Sequence, residues 1–440
     1  TLFPYTTLFR SRKMKELTKW EIEYNYIKGY AIEHQLRNTL KALAIAVEKH
    51  RGQTRDSGEP YIIHPLMVTK TLILLNIGTV LREWYPQKSD QWTKLQCDIL
   101  YASAMLHDVI EDCYFSKEGE ELVTEYYLDW EVLEVVRLLS KPKKNYIAES
   151  YFANIANNWK AGLVKLADNA NNCSTLKPFN EKRKIRYIKY AQTYIYSLAD
   201  KIKTKYQEFT NVVDIMKNVI VSICESLASI MGLPEMIVDN ERDYLKTVAF
   251  IKGVSRTEYP NTYKALEVAL EFHKHHKRTS GDPFIIHPLR VCHYLMALSI
   301  KDDVTYATAL LHEIPQKSKN FRSGMRYLKK AGFDKAVLRN VEKVANKAKM
   351  LDKYYQSIEE SSVAVLEKLS NRVHTCTFLA SAREEDIEKY KAETMNYMVP
   401  MAERAIVRYQ KYANQIEIME SHILAIFNMI ASETTDKKAG

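Results

Sequence analysis

The chain has 440 residues, a net charge of +10, six cysteines, and only 12 glycines and 12 prolines. This length predicts two domains of roughly 200 residues, and so few helix-breaking residues predict a mostly helical, all-α protein. The chain lacks Cys-x-x-Cys spacing, a long single-sign charge run and about 20 uninterrupted apolar residues, so we expect a cytoplasmic protein with reduced thiols and neither a nucleic-acid nor a membrane partner. The positive charge allows two interpretations: a solvated basic surface, or a field that attracts a polyanionic small molecule.

Residues 1–13 look like the translation of a sequencing adapter, so we treat them as an artefact and expect the natural chain to start at Met14. Apolar residues at spacings of three and four then predict a helix over residues 15–51. The turn cluster Arg-Asp-Ser-Gly-Glu-Pro follows, and Pro65 is expected in the first turn of the next helix. Later helices are predicted over residues 97–112, 130–139, 160–173, 181–206 and 240–257.

The first domain is expected to end where Gly232 can terminate a helix and Pro234 cannot continue one. The best candidate for a membrane span, Val219 to Val238, is interrupted by that proline and by two glutamates. The predicted regions are a first domain over residues 14–235, a helical linker over 236–260 and a second domain over 261–440.

One twelve-residue motif occurs twice in the chain. Residues 55–66 read Arg-Asp-Ser-Gly-Glu-Pro-Tyr-Ile-Ile-His-Pro-Leu, and residues 278–289 read Arg-Thr-Ser-Gly-Asp-Pro-Phe-Ile-Ile-His-Pro-Leu. Three further matches follow in the same order, around His107 and His312, then at Ser140-Lys and Asn346-Lys, then around Asp168. This order predicts a tandem duplication. Where the second copy loses a titratable group, we expect that group to have served chemistry in the first.

Six side chains of the first copy could form a metal site. Four of them lie in Leu-His-Asp-Val-Ile-Glu-Asp, where spacings of four would put pairs on one face of a single helix. Such polar groups flanked by apolar residues are costly unless they are paired or bound to metal. One His-Asp pair alone would favour a solvated, ion-paired helix start, but the full set of imidazoles and carboxylates favours Mn, Fe or Zn over Ca or Mg. The six are His64, His107, Asp108, Glu111, Asp112 and Asp168.

These motifs in combination resemble the hydrolase domain of RelA/SpoT-type alarmone enzymes, an all-helical fold of the HD superfamily. The resemblance covers about residues 30–200 well and residues 261–405 more weakly. It implies two tandem HD-type domains and removal of the 3′-pyrophosphate from (p)ppGpp with the help of Mn²⁺. Glu111 and Asp112 would orient and deprotonate the attacking water or protonate the leaving oxygen. The implied metal ligands are His64, His107, Asp108 and Asp168.

The same resemblance implies a nucleotide site. Arg55 matches an arginine that contacts the nucleotide, although it could instead form a salt bridge beside the turn. Lys141 could hold a phosphate or could be a solvated surface lysine. Asn172 and Thr175 match positions that line the nucleoside pocket. The implied partner is the small molecule ppGpp or pppGpp, and self-association into a homo-oligomer is left open.

The first copy departs from the family after Asp168, where the family usually reads Arg-Leu-His-Asn-Met-Arg and this chain reads Asn-Ala-Asn-Asn-Cys-Ser. Because this arginine and histidine are missing, the identity of the substrate and the rate of the reaction are left open. Metal binding is affected less, since all four implied ligands are present. One alternative is therefore a phosphohydrolase of another nucleotide, for example an adenine alarmone. A second alternative is a non-catalytic nucleotide-binding or antitoxin-like module, against which the intact acidic pair argues.

The second copy has lost the acids on which hydrolysis would depend. Asn371 replaces the last ligand, Gln316 and Lys317 replace the acidic pair, and Pro315 is expected to disturb the helix. We therefore predict that the second copy is not a hydrolase and that metal binds only to the first. The histidines near residue 275 are interpreted as a solvated helix end. The second copy retains Arg278, His287 and His312 and has Glu313 where the first has an aspartate.

Overall fold

The computed structural model describes residues 17–112, 119–142, 145–233, 240–278, 281–346, 350–379 and 382–430. Regular structure in these ranges is helical apart from two isolated β-bridges, which confirms the all-α prediction. The predicted adapter segment and Cys113 lie outside the described residues. The chain divides into two compact units, of which the first ends at Val221 and the second begins at Ser222. The domain boundaries drawn from the sequence, at 235 and 260, stay predictions.

The division between the two units falls within α13 (Thr210–Ile230), and thirteen helices are described up to the end of that helix. They are α1 (Lys19–Glu33), α2 (Arg37–Lys49), α3 (Ile63–Leu74), α4 (Ile77–Trp84), α5 (Asp90–Leu106), α6 (Val109–Asp112), α7 (Glu121–Thr124), α8 (Trp130–Leu139), α9 (Ala148–Ala156), α10 (Trp159–Cys173), α11 (Glu181–Tyr190), α12 (Tyr196–Lys205) and α13 (Thr210–Ile230). A π-helical turn, Ala191–Ile195, joins α11 to α12, and a 3₁₀ turn, Gln207–Phe209, precedes α13.

The second unit continues with helices α14 (Asn240–Glu258), α15 (Pro260–His273), α16 (Ile286–Ala297), α17 (Asp303–Leu311), α18 (Ile314–Lys317), α19 (Phe321–Lys330), α20 (Lys335–Ala345), α21 (Leu351–Glu359), α22 (Ser362–Leu379), α23 (Glu384–Glu393), α24 (Val399–Arg408) and α25 (Ala413–Ile430). A π-helical turn, Thr394–Met398, and a 3₁₀ turn, Gln410–Tyr412, lie on either side of α24. The helix predicted over 240–257 is present, and it packs on α15 and α16.

The two units repeat small structural details as well as helices. The carboxylate of Asp98 accepts hydrogen bonds from two backbone N–H groups at the start of α2, at 2.9 and 2.8 Å. Asp303 does the same at the start of α15, at 3.0 and 2.7 Å. Each carboxylate satisfies donors that a helix start leaves without intrahelical partners. The repeated caps and the repeated π-helical turns agree with the duplication inferred from sequence.

Helix α5 forms the centre of the first unit. Every residue from Cys97 to Leu106 is buried, because α2, α3, α8 and α10 pack around a stretch that is apolar or weakly polar apart from Asp98, whose carboxylate is used at the start of α2. A polar segment begins at the end of the helix with the buried His107, and the chain becomes exposed at Glu111 and Asp112. Helices α3 and α10 pack against each other and against α5, so the packing of three helices determines where their polar residues meet.

Three predicted helices differ in the structure. The helix predicted over 15–51 is two helices, since Gln35 takes a left-handed conformation with φ of 52° between α1 and α2. The helix predicted over 97–112 is wrong as a single element, because α5 ends at Leu106 and the short α6 begins at Val109. The helix predicted over 181–206 contains the π-helical turn, whose wider hydrogen-bond pattern has no clear sequence signal.

The expected disturbance by Pro315 is also wrong. The second unit has the same break between α17 and α18 as the first unit has between α5 and α6. Pro315 lies in the first turn of α18, where a proline is tolerated because its missing N–H would have no intrahelical partner.

Among the described residues, one segment is long and apolar enough to cross a membrane, namely Ile63–Trp84. The stretch singled out from the sequence lies partly outside the described residues. Of the apolar window of Ile63–Trp84, 61% is buried inside the fold. Asn76, with φ of 54°, divides the segment into α3 and α4. Core helices of globular domains have these same features, and the predicted absence of a membrane partner stays a prediction.

Candidate active site

All four predicted metal ligands meet at the end of α5. The Nε2 atoms of His64 and His107 lie 3.1 Å apart. The Oδ2 atom of Asp108 lies 3.4 and 3.1 Å from these two nitrogens. The Oδ1 atom of Asp168 lies 3.3 and 3.7 Å from them. Two histidine nitrogens and the Asp168 oxygen therefore lie within 4.8 Å of one another in a buried part of the first unit, and the Asp108 oxygen lies beside the two nitrogens.

The repeated turn before α3 positions the first of these histidines. Thr54 and Pro60 pair across the turn, and the backbone N–H of Arg55 donates to the carbonyl oxygen of Glu59 at 2.9 Å. Gly58 has φ of 83°, a conformation that residues with a Cβ rarely adopt. The turn feeds directly into α3, whose second residue is His64.

Each histidine uses its second nitrogen to fix the orientation of its ring. The Nδ1–H of His107 donates to the carbonyl oxygen of Ala104 at 2.8 Å. The Nδ1–H of His64 donates to the side-chain oxygen of Asn171 at 2.6 Å. Once deprotonated, both Nε2 atoms can donate a lone pair to a metal, and metal-binding histidines are usually supported in this way. The donor set therefore fits a divalent cation such as Mn²⁺, Fe²⁺ or Zn²⁺.

The charges at this point are strongly coupled. Burial would lower the pKa of His107, but the carboxylates of Asp108 and Asp168 outweigh burial and raise it to about 10. Burial would raise the pKa of Asp168, but the ammonium of Lys165, 2.9 Å from its Oδ2, and the two histidines hold it well below its usual range. Protons on the histidines thus supply the positive charge that a bound cation would otherwise supply.

The acidic pair lies on α6, beside the cluster, and its two members have different partners. The Oδ2 atom of Asp112 is 2.7 Å from the hydroxyl of Tyr61, which is 2.8 Å from Oδ2 of Asp108. Glu111 faces Lys141 instead, with 3.8 Å between Oε1 and Nζ and a backbone hydrogen bond of 3.3 Å to Oε2. Tyr61 is thus the link between the acidic pair and the metal ligands.

Three of the four predicted nucleotide-binding residues contact one another. The guanidinium of Arg55 donates to the side-chain oxygens of Asn171 at 3.2 Å, Asn172 at 3.0 Å and Thr175 at 3.0 Å. The amide of Asn172 also donates to Oδ1 of Asp168, at 2.5 Å. The segment that departs from the family pattern therefore connects the arginine to two of the metal ligands.

A cavity of about 640 Å³ opens beside this network. Its wall carries more positive than negative charge, since Arg183 and Arg186 join Arg55 while Asp56 is the acid among the lining residues. The guanidinium of Arg183 lies 3.5 Å over the ring of Phe179 and 3.0 Å from a carboxylate oxygen of Asp56. Guanidinium groups suit phosphates, and guanidinium and aromatic faces suit a base. The lining residues are Thr54, Arg55, Asp56, Ser57, Tyr61, Asn172, Thr175, Leu176, Phe179, Arg183, Arg186, Tyr187 and Tyr190.

The fourth predicted nucleotide-binding residue lies apart from the other three. Lys141 lies against Glu111 rather than among the residues that line the cavity.

Sequence reasoning missed several residues that do line the cavity. The arginines and tyrosines of α11 were not singled out, although Arg183, Arg186, Tyr187 and Tyr190 recur at spacings of three and four on one face of the helix. That periodicity is the signal that could have identified them.

The described residues of the first unit thus form a helical domain with a His/Asp cluster suited to a metal. No family model matches the chain. Curated relatives include a guanosine-3′,5′-bis(diphosphate) 3′-pyrophosphohydrolase of Borreliella burgdorferi, 33% identical over 172 residues, which are 36% of this chain and 22% of the relative. The enzyme of the same name from Vibrio cholerae is 31% identical over 167 residues, 36% of this chain and 20% of the relative.

The bifunctional (p)ppGpp synthase/hydrolase SpoT of Escherichia coli is 33% identical over 162 residues, which are 34% of this chain and 20% of the relative. The chain therefore spans about a fifth of the length of the curated relatives that it matches. These homologues confirm, over about a third of the chain, the resemblance to RelA/SpoT-type enzymes that the motifs indicate.

Proposed function

We propose that the chain is a metal-dependent hydrolase that removes the 3′-pyrophosphate from guanosine alarmones, with Mn²⁺ as the cofactor. The observation that carries this proposal is the convergence of His64, His107, Asp108 and Asp168 beside an arginine-lined cavity. The names of the homologues support the same substrate class. A cytoplasmic site of action follows from this substrate, and neither nucleic acid nor a membrane takes part in the proposed reaction.

In the proposed reaction, a water oxygen attacks the phosphorus atom that is bonded to the ribose 3′ oxygen. A new bond forms between this phosphorus and the water oxygen, and the bond between phosphorus and the 3′ oxygen breaks. From ppGpp the products are GDP, with a free 3′ hydroxyl, and pyrophosphate. A bound divalent cation lowers the pKa of water and shields phosphate charge. The protein groups supply orientation and proton transfer around this bond.

We assign these roles from the contacts of each residue. Asp112 takes the proton of the attacking water, because its link through Tyr61 to Asp108 holds it beside the metal ligands. Glu111, the other acid of α6, serves the leaving 3′ oxygen. Arg55 lines the cavity and also donates a hydrogen bond to Asn172 in the network around the metal ligands, so it orients the nucleotide relative to the cluster.

The proposal is tested with the purified full-length chain, Mn²⁺ and a panel of guanine and adenine alarmones, with products separated by chromatography. We expect GDP and pyrophosphate from ppGpp. Faster turnover of an adenine alarmone would replace the proposed substrate and keep the metal chemistry. Binding of a nucleotide without turnover of any member of the panel, in protein with bound metal, would favour a non-catalytic binding module.

A further inference from the structure

The second unit keeps a group of metal donors that the sequence led us to discount. The Nε2 atoms of His287 and His312 are 3.1 Å apart, the same distance as in the first unit. The Oε1 atom of Glu313 lies 3.7 and 3.4 Å from them. These three donor atoms lie within 4.8 Å of one another, so the replacement of the fourth ligand by Asn371 has not dispersed the others.

The rings of this second cluster are oriented as metal-binding histidines are. The Nδ1–H of His312 donates to the carbonyl oxygen of Ala309 at 2.7 Å. The Nδ1 of His287 is 2.7 Å from Nδ1 of His374, which occupies the place of Asn171 in the first unit. When the Nδ1–H of His287 donates to His374, the Nε2 lone pairs of His287 and His312 face each other, an arrangement that a shared proton or a cation stabilises.

A buried carboxylate behind the cluster is a second indication that a cation binds here. Glu367 has a side chain with 0% exposure, and its Oε1 lies 3.6 Å from Nδ1 of His312 and accepts a hydrogen bond of 3.2 Å from the amide of Asn371. Its other oxygen has no hydrogen-bond partner among the residues that the structure describes. In the first unit the matching residue is the apolar Val164. A buried carboxylate is costly unless positive charge lies close by. Lys368 and His312 interact with this charge, and a cation bound to the cluster would add to them.

This substitution also restores the charge that the second copy lost. The first cluster has two carboxylates, from Asp108 and Asp168, and the second has two, from Glu313 and Glu367. One has moved from the ligand position to a place behind the histidine. At 3.6 Å from Nδ1 of His312, Glu367 acts through its charge rather than through a hydrogen bond, and a negative charge behind a histidine favours a cation bound to that histidine.

Groups for hydrolysis are absent from the described part of this cluster. Gln316 donates to the carbonyl oxygen of Ala345 at 3.1 Å and so is engaged at the end of α20. The ammonium of Lys317 lies 4.4 Å from the centre of the ring of Phe284, the residue that replaces Tyr61. An amide and an ammonium cannot take a proton from water as two carboxylates can.

We propose that His287, His312 and Glu313 form a second, non-hydrolytic cation site, in which His374 and the carbonyl oxygen of Ala309 orient the rings and the buried charge of Glu367 favours a cation. Two imidazoles and one carboxylate are a ligand set of zinc sites with an open position, and they favour a borderline transition metal over Mg²⁺ or Ca²⁺. The chain would then bind two metal ions, in sites whose ligands differ in total charge. This site is independent of the hydrolase proposal, because its donors come from the second unit alone.

The test uses Co²⁺ and Zn²⁺ as probes with the full-length chain. A His64→Ala/Asp168→Ala variant removes the first cluster, and we expect it to bind about one Co²⁺ per chain with the absorption bands of low-coordinate cobalt. Adding Glu313→Gln should weaken this binding by at least ~10-fold, and adding Glu367→Gln by ~10–100-fold. Adding His275→Ala, which removes an exposed histidine of the same unit, should leave binding unchanged.

A metal count on the unmodified chain gives a second measurement that does not depend on the double variant. We expect about two Zn²⁺ per chain by elemental analysis, falling to about one in His312→Ala. A count of one in the unmodified chain, lost with His64→Ala/Asp168→Ala and unaffected by His312→Ala, would overturn the second site. So would a folded double variant that binds no Co²⁺.

Discussion

Tyr61 offers a direct test of how the acidic pair is connected to the metal ligands. Its hydroxyl lies 2.7 Å from Asp112 and 2.8 Å from Asp108. The second unit has Phe284 at this position, so the change Tyr61→Phe is one that the fold already tolerates in its other copy. The substitution removes a single oxygen atom and leaves the ring, which stacks on His50 at 4.8 Å, in place.

The size of the effect follows from the number of hydrogen bonds that are lost. A phenol has one proton, so Tyr61 can donate to only one of the two carboxylates at a time. A hydrogen bond to a charged group contributes ~1.5–3 kcal/mol. At about 1.4 kcal/mol per tenfold, Tyr61→Phe should lower kcat by roughly 10- to 150-fold. We expect KM to change less than kcat, because the hydroxyl orients protein groups rather than the bulk of the nucleotide.

The assay measures kcat, KM and Mn²⁺ affinity of Tyr61→Phe with ppGpp, together with its thermal unfolding. The matched control is Phe284→Tyr in the second unit, which should leave hydrolysis unchanged. If Tyr61→Phe retains kcat within about twofold and binds Mn²⁺ as tightly as the unmodified chain, the hydroxyl does not position Asp112 and this reasoning is wrong.

Three further predictions concern the acids, the pH dependence and the cavity. Glu111→Gln and Asp112→Asn should keep their bound metal in elemental analysis while turnover falls by ~10²–10⁴, and near-normal turnover in both would make these residues structural ion-pair partners. Because the pKa of His107 is raised from 6.5 to about 10, its charge stabilises the metal-free fold fully below pH 6.5 and is lost as the pH rises towards 10. Metal must displace this proton, so Mn²⁺ affinity should rise with pH over this window, and titration calorimetry in buffers of different ionisation enthalpy should detect released protons. Arg183→Ala should raise KM by about tenfold with little change in kcat, whereas Lys182→Ala, an exposed neighbour outside the cavity lining, should change neither value.

The sequence predicted the metal cluster because each ligand belongs to a motif with its own local signal. His64 follows a turn that needs glycine, and Asp168 lies in a buried helix with Lys165 one turn before it. These elements pack on α5, so the ligands meet when the helices pack. The helix break before Val109 was missed, since no glycine or proline marks it and the packing of α5 ends there.

Residues that support the ligands could not be predicted in the same way. Asn171 orients His64 and also accepts from Arg55, but these partners are more than 100 positions away in sequence, and only the packing of α10 beside the turn brings them together. Glu367 appears in the sequence as one acid in a helical stretch. Its meaning depends on complete burial behind His312, which the sequence does not show.

The most direct test of the central claim compares Asp168→Asn with its mirror substitution Asn371→Asp in full-length, Mn²⁺-loaded protein acting on ppGpp. Each change gives one unit the residue of the other, so size and shape are conserved while one ligand charge is exchanged. Pyrophosphate release, followed by mass spectrometry together with GDP, should be lost in Asp168→Asn and retained in Asn371→Asp. Continued release of pyrophosphate by Asp168→Asn at the unmodified rate would contradict a hydrolytic metal site at His64, His107, Asp108 and Asp168.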